Sequence, residues 1–463
     1  MFESSSIERL ADTLRAEIAA LPPGARLPAS RDLVRRHGVG PVTVSRAIAL
    51  LAGEGAVVTR PGAGTYVAPR RAPATAPADT AWQSVALAGR HLDPHAVGDA
   101  LDPPPPGAIT MSGGYTHRSL QPTRALSAAL ARAARRPDAF DRASTLGLEA
   151  LRAHFARLAG TGDPADVLIT AGGQSAISMI FRAVAEPGAP VLVESPTFPG
   201  ALAAARTAGL RPVPVPIDDD GVRPDLLADA FAMTGARLFY CQPTFHNPTG
   251  AVLSPERRRQ VADVTRAAGA FLVEDDWARD LGHGGPVPGT LAADDRDGTV
   301  IHLTSLTKPA APSLRVGAVI ARGPVKARLR ALRLVDDFFL ARPLQEAAVE
   351  LLAAPAWNRH LRALSTALRE RRDLLANLIA ERLPDWTLTR VPAGGLHLWL
   401  RVPPGHATAV ATARDVTTGP GHFFYAAEPP APHIRLGFAA PAGPEELAEG
   451  VRRLHDATVG ANR

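Results

Sequence analysis

Apolar positions along the chain change period twice. Ile7, Leu10, Leu14 and Ile18 recur at three- and four-residue spacing. They predict an amphipathic helix over residues 4–20, with serines available as caps and a Leu-Pro-Pro-Gly stop at 21–24. Two shorter helical patterns follow, Ser30–His37 and Pro41–Gly53, joined across Gly38, Val39 and Gly40. A short glycine-bearing turn between two helices is helix–turn–helix spacing. Residues 56–60 and 64–67, separated by Pro61, Gly62 and Ala63, then predict a β-hairpin placed as a wing. Residues 68–80 (APRRAPATAPADT) lose every apolar period and read as a semi-extended spacer of ~3 Å per residue. A helical pattern returns over 81–100, prolines at 103–106 break it, and 108–111 is strand-like.

Beyond residue 110 the pattern becomes short apolar, β-like runs alternating with Ala/Leu/Arg-rich helical stretches. The runs fall at 167–170, 191–194, 238–242, 271–274, 300–303 and 316–321. Strands alternating with helices predict an α/β domain with a mostly parallel sheet covered on both faces. In such sheets ligands lie beyond the strand C-termini, and the chain's unusual residues fall there. The expected organisation is multidomain: a small α+β domain at 1–68, a linker with a helical segment at 69–107, and the α/β domain at 108–463.

Length and composition agree with this reading. At 463 residues the chain exceeds one ordinary domain, and 46% hydrophobic with 21% charged residues describes a soluble globular protein. One cysteine, Cys241, rules out a disulfide framework and fits a reducing, cytoplasmic setting. No apolar run reaches the ~18 residues of a membrane span, and the N-terminus lacks a signal-peptide pattern. No metal site is expected. The net charge of +6 hints at an anionic partner without requiring one.

The cations themselves are more informative. The sequence holds only two lysines, Lys308 and Lys326, and writes the rest of its positive charge as arginine. Lys308 sits between two strand-like runs, where an amine able to lose its proton can attack a carbonyl, as an arginine cannot. Four motifs surround it in order. Residues 170–174 (TAGGQ) follow a strand and open a helix, a place where free backbone N–H groups hold phosphate. Residues 245–250 (FHNPTG) carry Asn247, whose amide can donate to a phenolate-type oxygen. Asp275 ends a buried strand, where a carboxylate is costly unless paired. Ser305 precedes Lys308, and Arg315 follows it by seven residues.

Both halves resemble known families. Residues 4–68 resemble the winged helix of GntR regulators, through Leu27-Pro28, Arg31, Leu33, Thr43-Val44, Glu54-Gly55 and the Gly62–Val67 wing. The resemblance implies that Arg31, Thr43, Ser45 and Arg46 meet double-stranded DNA, with arginine forking onto guanine edges. Gly40 and Pro41 stand where that family usually has Ser or Thr followed by Arg. A small helical interaction domain is the alternative. Residues 108–455 resemble fold-type I pyridoxal-phosphate aminotransferases of the aminoadipate/kynurenine-like branch, extended by Gly147 to Arg152 (GLEALR) and Val193 to Gly200 (VESPTFPG).

That second resemblance implies pyridoxal 5'-phosphate joined to Lys308, the catalytic lysine, as an aldimine. It further implies Asp275 on the ring nitrogen, Asn247 on the ring 3-oxygen and Phe198 against the ring face. Gly173, Gln174, Ser305 and Arg315 would hold the phosphate, and Arg435 a substrate carboxylate. Departures are Trp277 where a tyrosine hydroxyl is usual, Gly173 where Ser or Thr is common, and Arg142 near the position of a tyrosine that reaches the neighbouring subunit's phosphate. The two halves in this order resemble the MocR/GabR subfamily of GntR regulators. The resemblance implies a homodimeric transcription regulator reading operator half-sites and sensing an amino compound or the cofactor itself. The alternatives are a working aminotransferase with an accessory DNA-binding domain, or a scaffold that binds no cofactor. Effector, operator, the sense of regulation and retention of transamination stay open.

Overall fold

The computed structural model describes residues 6–69, 79–87, 104–413 and 415–461. Most of the expected spacer, the later part of the helical pattern at 81–100, and the serines ahead of the first helix lie outside the described residues. Within them, residues Ala81–Ala86 form a short helix. Chain contacts separate two compact units, residues 1–91 and 92–463.

In the small unit, helices α1 (Ser6–Ala19), α2 (Ser30–His37) and α3 (Pro41–Gly53) precede strands β1 (Val57–Arg60) and β2 (Gly64–Val67). Helix α2 stops where Gly38 turns left-handed at φ 62°, and α3 starts on Pro41, whose fixed φ suits a first helical turn. Leu10 and Leu14 meet Leu33, Val44, Leu51 and Val57 in one apolar cluster, which is the purpose of the 3–4 spacing. The wing is tied back by Leu27 and Val67 N–H groups, which donate to the Thr65 and Ala25 carbonyls at 2.8 Å each.

The large unit is built on an eight-stranded sheet. Its strands are β3 (Val167–Thr170), β4 (Pro190–Ser195), β5 (Arg211–Asp218), β6 (Gly221–Val222), β7 (Leu238–Cys241), β8 (Phe271–Asp275), β9 (Val300–Ser305) and β10 (Gly317–Ile320). They lie in the order β3-β10-β9-β8-β7-β4-β5-β6. The central pairs β9–β8, β8–β7, β7–β4 and β4–β5 are parallel, whereas β10 runs antiparallel between β9 and β3. Alternate residues serve opposite cores. Val193, Tyr240, Val273 and Ile301 join one apolar cluster, while their neighbours Leu192, Phe239, Leu272 and Val300 join another. Burial on both faces is why these strands read as near-continuous apolar runs.

Strand β5 shows no such run in the sequence, and proline explains it. Pro212, Pro214 and Pro216 recur at period two, so all three missing N–H groups fall on one side. Across residues 211–216 β5 pairs with β4 alone, and only Ile217 and Asp218 meet β6. The prolines mark a sheet margin.

A second, four-stranded antiparallel sheet orders as β11 (Thr387–Leu388), β12 (His397–Arg401), β14 (His433–Gly437) and β13 (Gly419–Pro420). Its Leu398, Leu400 and Leu436 pack with Leu364, Leu368 and Leu375 of the long helix Pro355–Arg382. A short parallel pair, Ile109–Thr110 with Val416–Thr417, ties the start of the unit to it.

Candidate active site

Parallel strands place their C-terminal ends on one edge, so Thr170, Cys241, Asp275 and Ser305 come together from strands far apart in sequence. The second sheet faces that edge with His397 on β12 and Arg435 on β14. Between them lies a cavity of about 350 Å³. Every residue that the sequence assigned to the aminotransferase-like site lines it: Gly173, Gln174, Phe198, Asn247, Asp275, Ser305, Lys308, Arg315 and Arg435.

One end of the cavity is suited to an anion. Gly172 (φ 86°) caps the helix Gly173–Val184, and the first turn of that helix leaves N–H groups without intrahelical acceptors. Arg315, itself left-handed at φ 49°, donates from Nη2 to the Ala171 carbonyl at 2.7 Å. Gln174 Nε2 donates to the Gly200 carbonyl at 2.8 Å. The Ser305 hydroxyl is 3.0 Å from Thr307 Oγ1.

The floor carries an uncommitted acceptor. Asp275 Oδ2 accepts from the Tyr240 hydroxyl at 2.5 Å and from Gln242 Nε2 at 3.1 Å, but Oδ1 is buried with no partner. Burial lifts the Asp275 carboxyl to about 6, against the opposing effect of those two donors. An unpaired buried carboxylate oxygen costs several kcal/mol by order of magnitude unless a cation or N–H reaches it. A ligand with a ring N–H meets that requirement.

Lys308 Nζ donates to the Gly114 carbonyl at 2.6 Å and lies 3.5 Å from the centre of the Tyr115 ring. Burial, then the Arg435 and Arg315 charges, lower its amine to about 7, with Asp275 pulling the other way. The amine is thereby poised near neutrality for attack on a carbonyl. Arg435 donates to Asn247 Oδ1 at 3.0 Å and to the Ser112 carbonyl at 2.5 Å, and its Nε has no partner. Because the Asn247 oxygen is engaged by Arg435, its amide N–H₂ is the end left to donate elsewhere.

Four groups at this site are absent from the sequence reading. Tyr240 and Gln242 hold Asp275, Tyr115 lies under Lys308, and His397 lines the cavity beside it. His397 left a trace in the sequence: in Leu396-His-Leu-Trp-Leu400 the leucines take one face, so the histidine points to the other with Trp399. Trp277, noted for lacking a hydroxyl, lines the cavity with its indole Nε1 buried and unpartnered. Arg142 is exposed and is not among the cavity's lining residues. In the small unit, Arg31, Ser45 and Arg46 are exposed and Thr43 half-buried, the last three on the first half of α3.

The donor set fits one kind of ligand: an anion at the helix N-terminus, a ring N–H at Asp275, a carbonyl at Lys308 and a carboxylate at Arg435. The family described as Aminotransferase class I and II matches residues 111–454, and Bacterial regulatory proteins, gntR family, matches residues 6–67. An uncharacterized HTH-type transcriptional regulator of Escherichia coli, YdcR, is 29% identical over 91% of this chain and 92% of its own length. The 2-aminoadipate transaminase of Thermus thermophilus is 29% identical over 77% of this chain and 91% of its own. The crystal structure of LysN, an alpha-aminoadipate aminotransferase from the same organism complexed with N-(5'-phosphopyridoxyl)-L-leucine, superposes with a TM-score of 0.75. It is 28% identical and covers 82% of this chain and 99% of that one. No helix among the described residues is long and apolar enough to cross a membrane.

Proposed function

The chain belongs to the aminotransferase class I and II family, and from that membership we propose a transcription regulator that binds pyridoxal 5'-phosphate at Lys308 and double-stranded DNA through its gntR-family segment. Regulators that span both halves, such as YdcR, support this reading. The observation that carries it is the pairing of a DNA-binding fold with an aminotransferase-like cavity whose lysine, free carboxylate oxygen and arginines all face one space.

Bound pyridoxal phosphate supplies an aldehyde that condenses with primary amines and a pyridine ring that draws off electron density. The chain's own residues divide the remaining work. Lys308 Nζ presents its lone pair, helped by burial and by two neighbouring arginines. Asp275 Oδ1, free of a partner, would hold the proton of the ring nitrogen. Asn247 would donate its amide hydrogen to the ring oxygen, and Phe198 would lie against the ring. The helix N-terminus at Gly173, with Gln174, Ser305 and Arg315, would hold the phosphate. Arg435 receives the carboxylate of an amino-acid-like effector. Arg31, Thr43, Ser45 and Arg46 meet operator DNA, and a homodimer carries two winged helices to paired half-sites. A ligand changes DNA binding only through unequal affinity for two arrangements of the molecule. Cytoplasmic residence is in keeping with a DNA partner.

A visible absorption spectrum of wild type and Lys308→Ala supplied with pyridoxal phosphate tests the reading. A lysine-dependent band, together with saturable binding to DNA upstream of a regulated gene, is expected. Steady release of an oxo acid at enzymatic rates, without sequence-selective DNA binding, would instead establish a working aminotransferase. No band in either protein would leave only the winged helix.

A further inference from the structure

The cavity floor has a second layer behind it. Strands β8 and β9 run in parallel, with Leu303 paired to Asp275 and His302 to Glu274. Asp275 and Leu303 line the cavity. Side chains alternate along a strand, so Glu274 and His302 take the opposite face of the sheet, that of Leu272 and Val300. Both are fully buried there, and Asp276 is buried as well.

His302 stands between the two residues that flank Asp275 in the chain. Its Nδ1 is 2.9 Å from Glu274 Oε2, and its Nε2 is 4.0 Å from Asp276 Oδ2, an ion-pair distance rather than a hydrogen bond. Each carboxylate has a further anchor. Glu274 accepts the Leu291 and Ala292 backbone N–H groups at 2.7 and 3.1 Å, and Asp276 Oδ2 accepts from Arg279 Nε. The Asp276 backbone N–H donates to the Leu303 carbonyl at 2.9 Å, which joins β9 to the chain just past Asp275. Taking two carboxylates out of water is costly, and the cations and N–H groups that offset the cost confine them to one geometry. Burial opposes a charged imidazole here, but the Glu274 and Asp276 carboxylates outweigh it and hold the His302 proton above its usual range. After burial and its own two hydrogen bonds, Asp275 feels these charges in opposite senses: Asp276 disfavours its charged form and His302 favours it.

We propose that His302 is a positioning residue: through Glu274 and Asp276 it fixes the chain on both sides of Asp275 and aims Asp275 Oδ1 at the ring nitrogen of the bound cofactor. The inference rests on the cofactor reading above. His302 is not among the residues that line the cavity, so its effect reaches the cofactor at one atom, through Asp275. A part that merely supported the fold would weaken every contact to the cofactor alike.

The test sets pyridoxal 5'-phosphate against its 1-deaza analogue, in which carbon replaces the ring nitrogen, by equilibrium dialysis on the full-length protein. Wild type should hold the natural cofactor more tightly by roughly tenfold or more, the worth of a charge-assisted hydrogen bond. In His302→Phe, which keeps a ring and removes both nitrogens, this ratio should fall to within about twofold of unity. His302→Asn keeps a donor near the Nδ1 position and should fall between the two. A ratio as large as that of wild type in either variant would overturn the proposal, even where both cofactors bind more weakly, since equal loss is what a structural role predicts. His302→Asn decides the matter if His302→Phe fails to fold. A wild-type ratio near unity, with a lysine-dependent visible band still present, would refute the Asp275 contact and this inference with it while leaving the cofactor at Lys308. No band at all would remove the cofactor reading itself, and the inference with it.

Discussion

Gln242 donates from Nε2 to Asp275 Oδ2 at 3.1 Å, and with the other end of the same amide accepts the Asn247 backbone N–H at 3.1 Å. One side chain therefore fixes both groups assigned to the cofactor ring. Its own backbone N–H donates to the buried Glu194 carboxylate at 2.7 Å, which anchors the bridge in the sheet. Gln242→Leu keeps the volume and removes both bonds. A hydrogen bond to a charged group contributes ~1.5–3 kcal/mol, so cofactor affinity should fall by roughly 10- to 100-fold. Equilibrium dialysis of pyridoxal phosphate measures this, and wild-type affinity in the variant would show that Tyr240 alone suffices to hold Asp275.

What the sequence shows of this arrangement depends on how local each signal is. The winged-helix elements are legible because caps, turn glycines and 3.6-residue periodicity all act within a dozen residues, as at Gly38 and Pro41. Asp275 and Lys308 stand out because a carboxylate or a rare lysine next to a buried strand is chemically conspicuous. The Gln242 bridge is silent in sequence, since a glutamine after an apolar run looks like any strand end. Its meaning appears only when parallel pairing sets Tyr240 beside Val273 and brings Asp275 within reach. Tyr115 is silent for the same reason, since it meets Lys308 across nearly two hundred residues of chain. Strand β5 was hidden by the prolines that make it a margin.

Lys308 should take up cofactor with a pH dependence that reports on Arg435. Its amine is lowered to about 7, first by burial and next by the Arg435 charge. Uptake, followed by the growth of the visible band, should rise as pH passes through about 7. Removing a neighbouring cation favours the ammonium form, so Arg435→Met should move that midpoint upward while weakening a carboxylate-bearing effector. The sign for stability follows from the same shift. The folded-state value lies below the ordinary lysine value of ~10.4, so the unfolded chain binds more protons between them, and the contribution of Lys308 to stability increases with pH across that window. A midpoint unmoved in Arg435→Met would mean that burial and Arg315 set it without Arg435.

Arg31→Ala should separate the two functions. Arg31 lies exposed at the start of α2, away from the apolar cluster of the small unit. Its loss should weaken operator binding by about tenfold or more, the ~1–3 kcal/mol of a lost base contact, and leave cofactor uptake as in wild type. Leu33→Ala is the structural counterpart. Leu33 is fully buried, and a large-to-small change there costs ~2–5 kcal/mol, enough to unfold so small a domain. Circular dichroism distinguishes the outcomes: Arg31→Ala should keep its helical signal, and equal loss of DNA binding and cofactor would point to general unfolding.

Adjacent glycines at the phosphate end should respond in opposite directions. Gly172 holds φ at 86°, and a Cβ there would lie 2.9 Å from Arg315 Nη2 and 3.2 Å from Thr307 Cγ2. Gly172→Ala therefore combines backbone strain of order 1–3 kcal/mol with displacement of the arginine assigned to the phosphate. Cofactor affinity should fall by roughly tenfold or more. At Gly173 no positive φ is required, and the nearest atom to an added Cβ is Leu303 Cδ1 at 3.8 Å, an ordinary contact. Gly173→Ser would place a hydroxyl at the first helical residue, where short polar side chains bond anions alongside the free backbone N–H groups. That variant should retain pyridoxal phosphate more tightly than wild type, by up to roughly tenfold for one charge-assisted hydrogen bond. Dialysis against phosphate buffer reads both changes on one scale. Wild-type affinity in both variants would mean that the anion does not sit at this helix terminus, and the phosphate assignments of Gln174, Ser305 and Arg315 would fall with it.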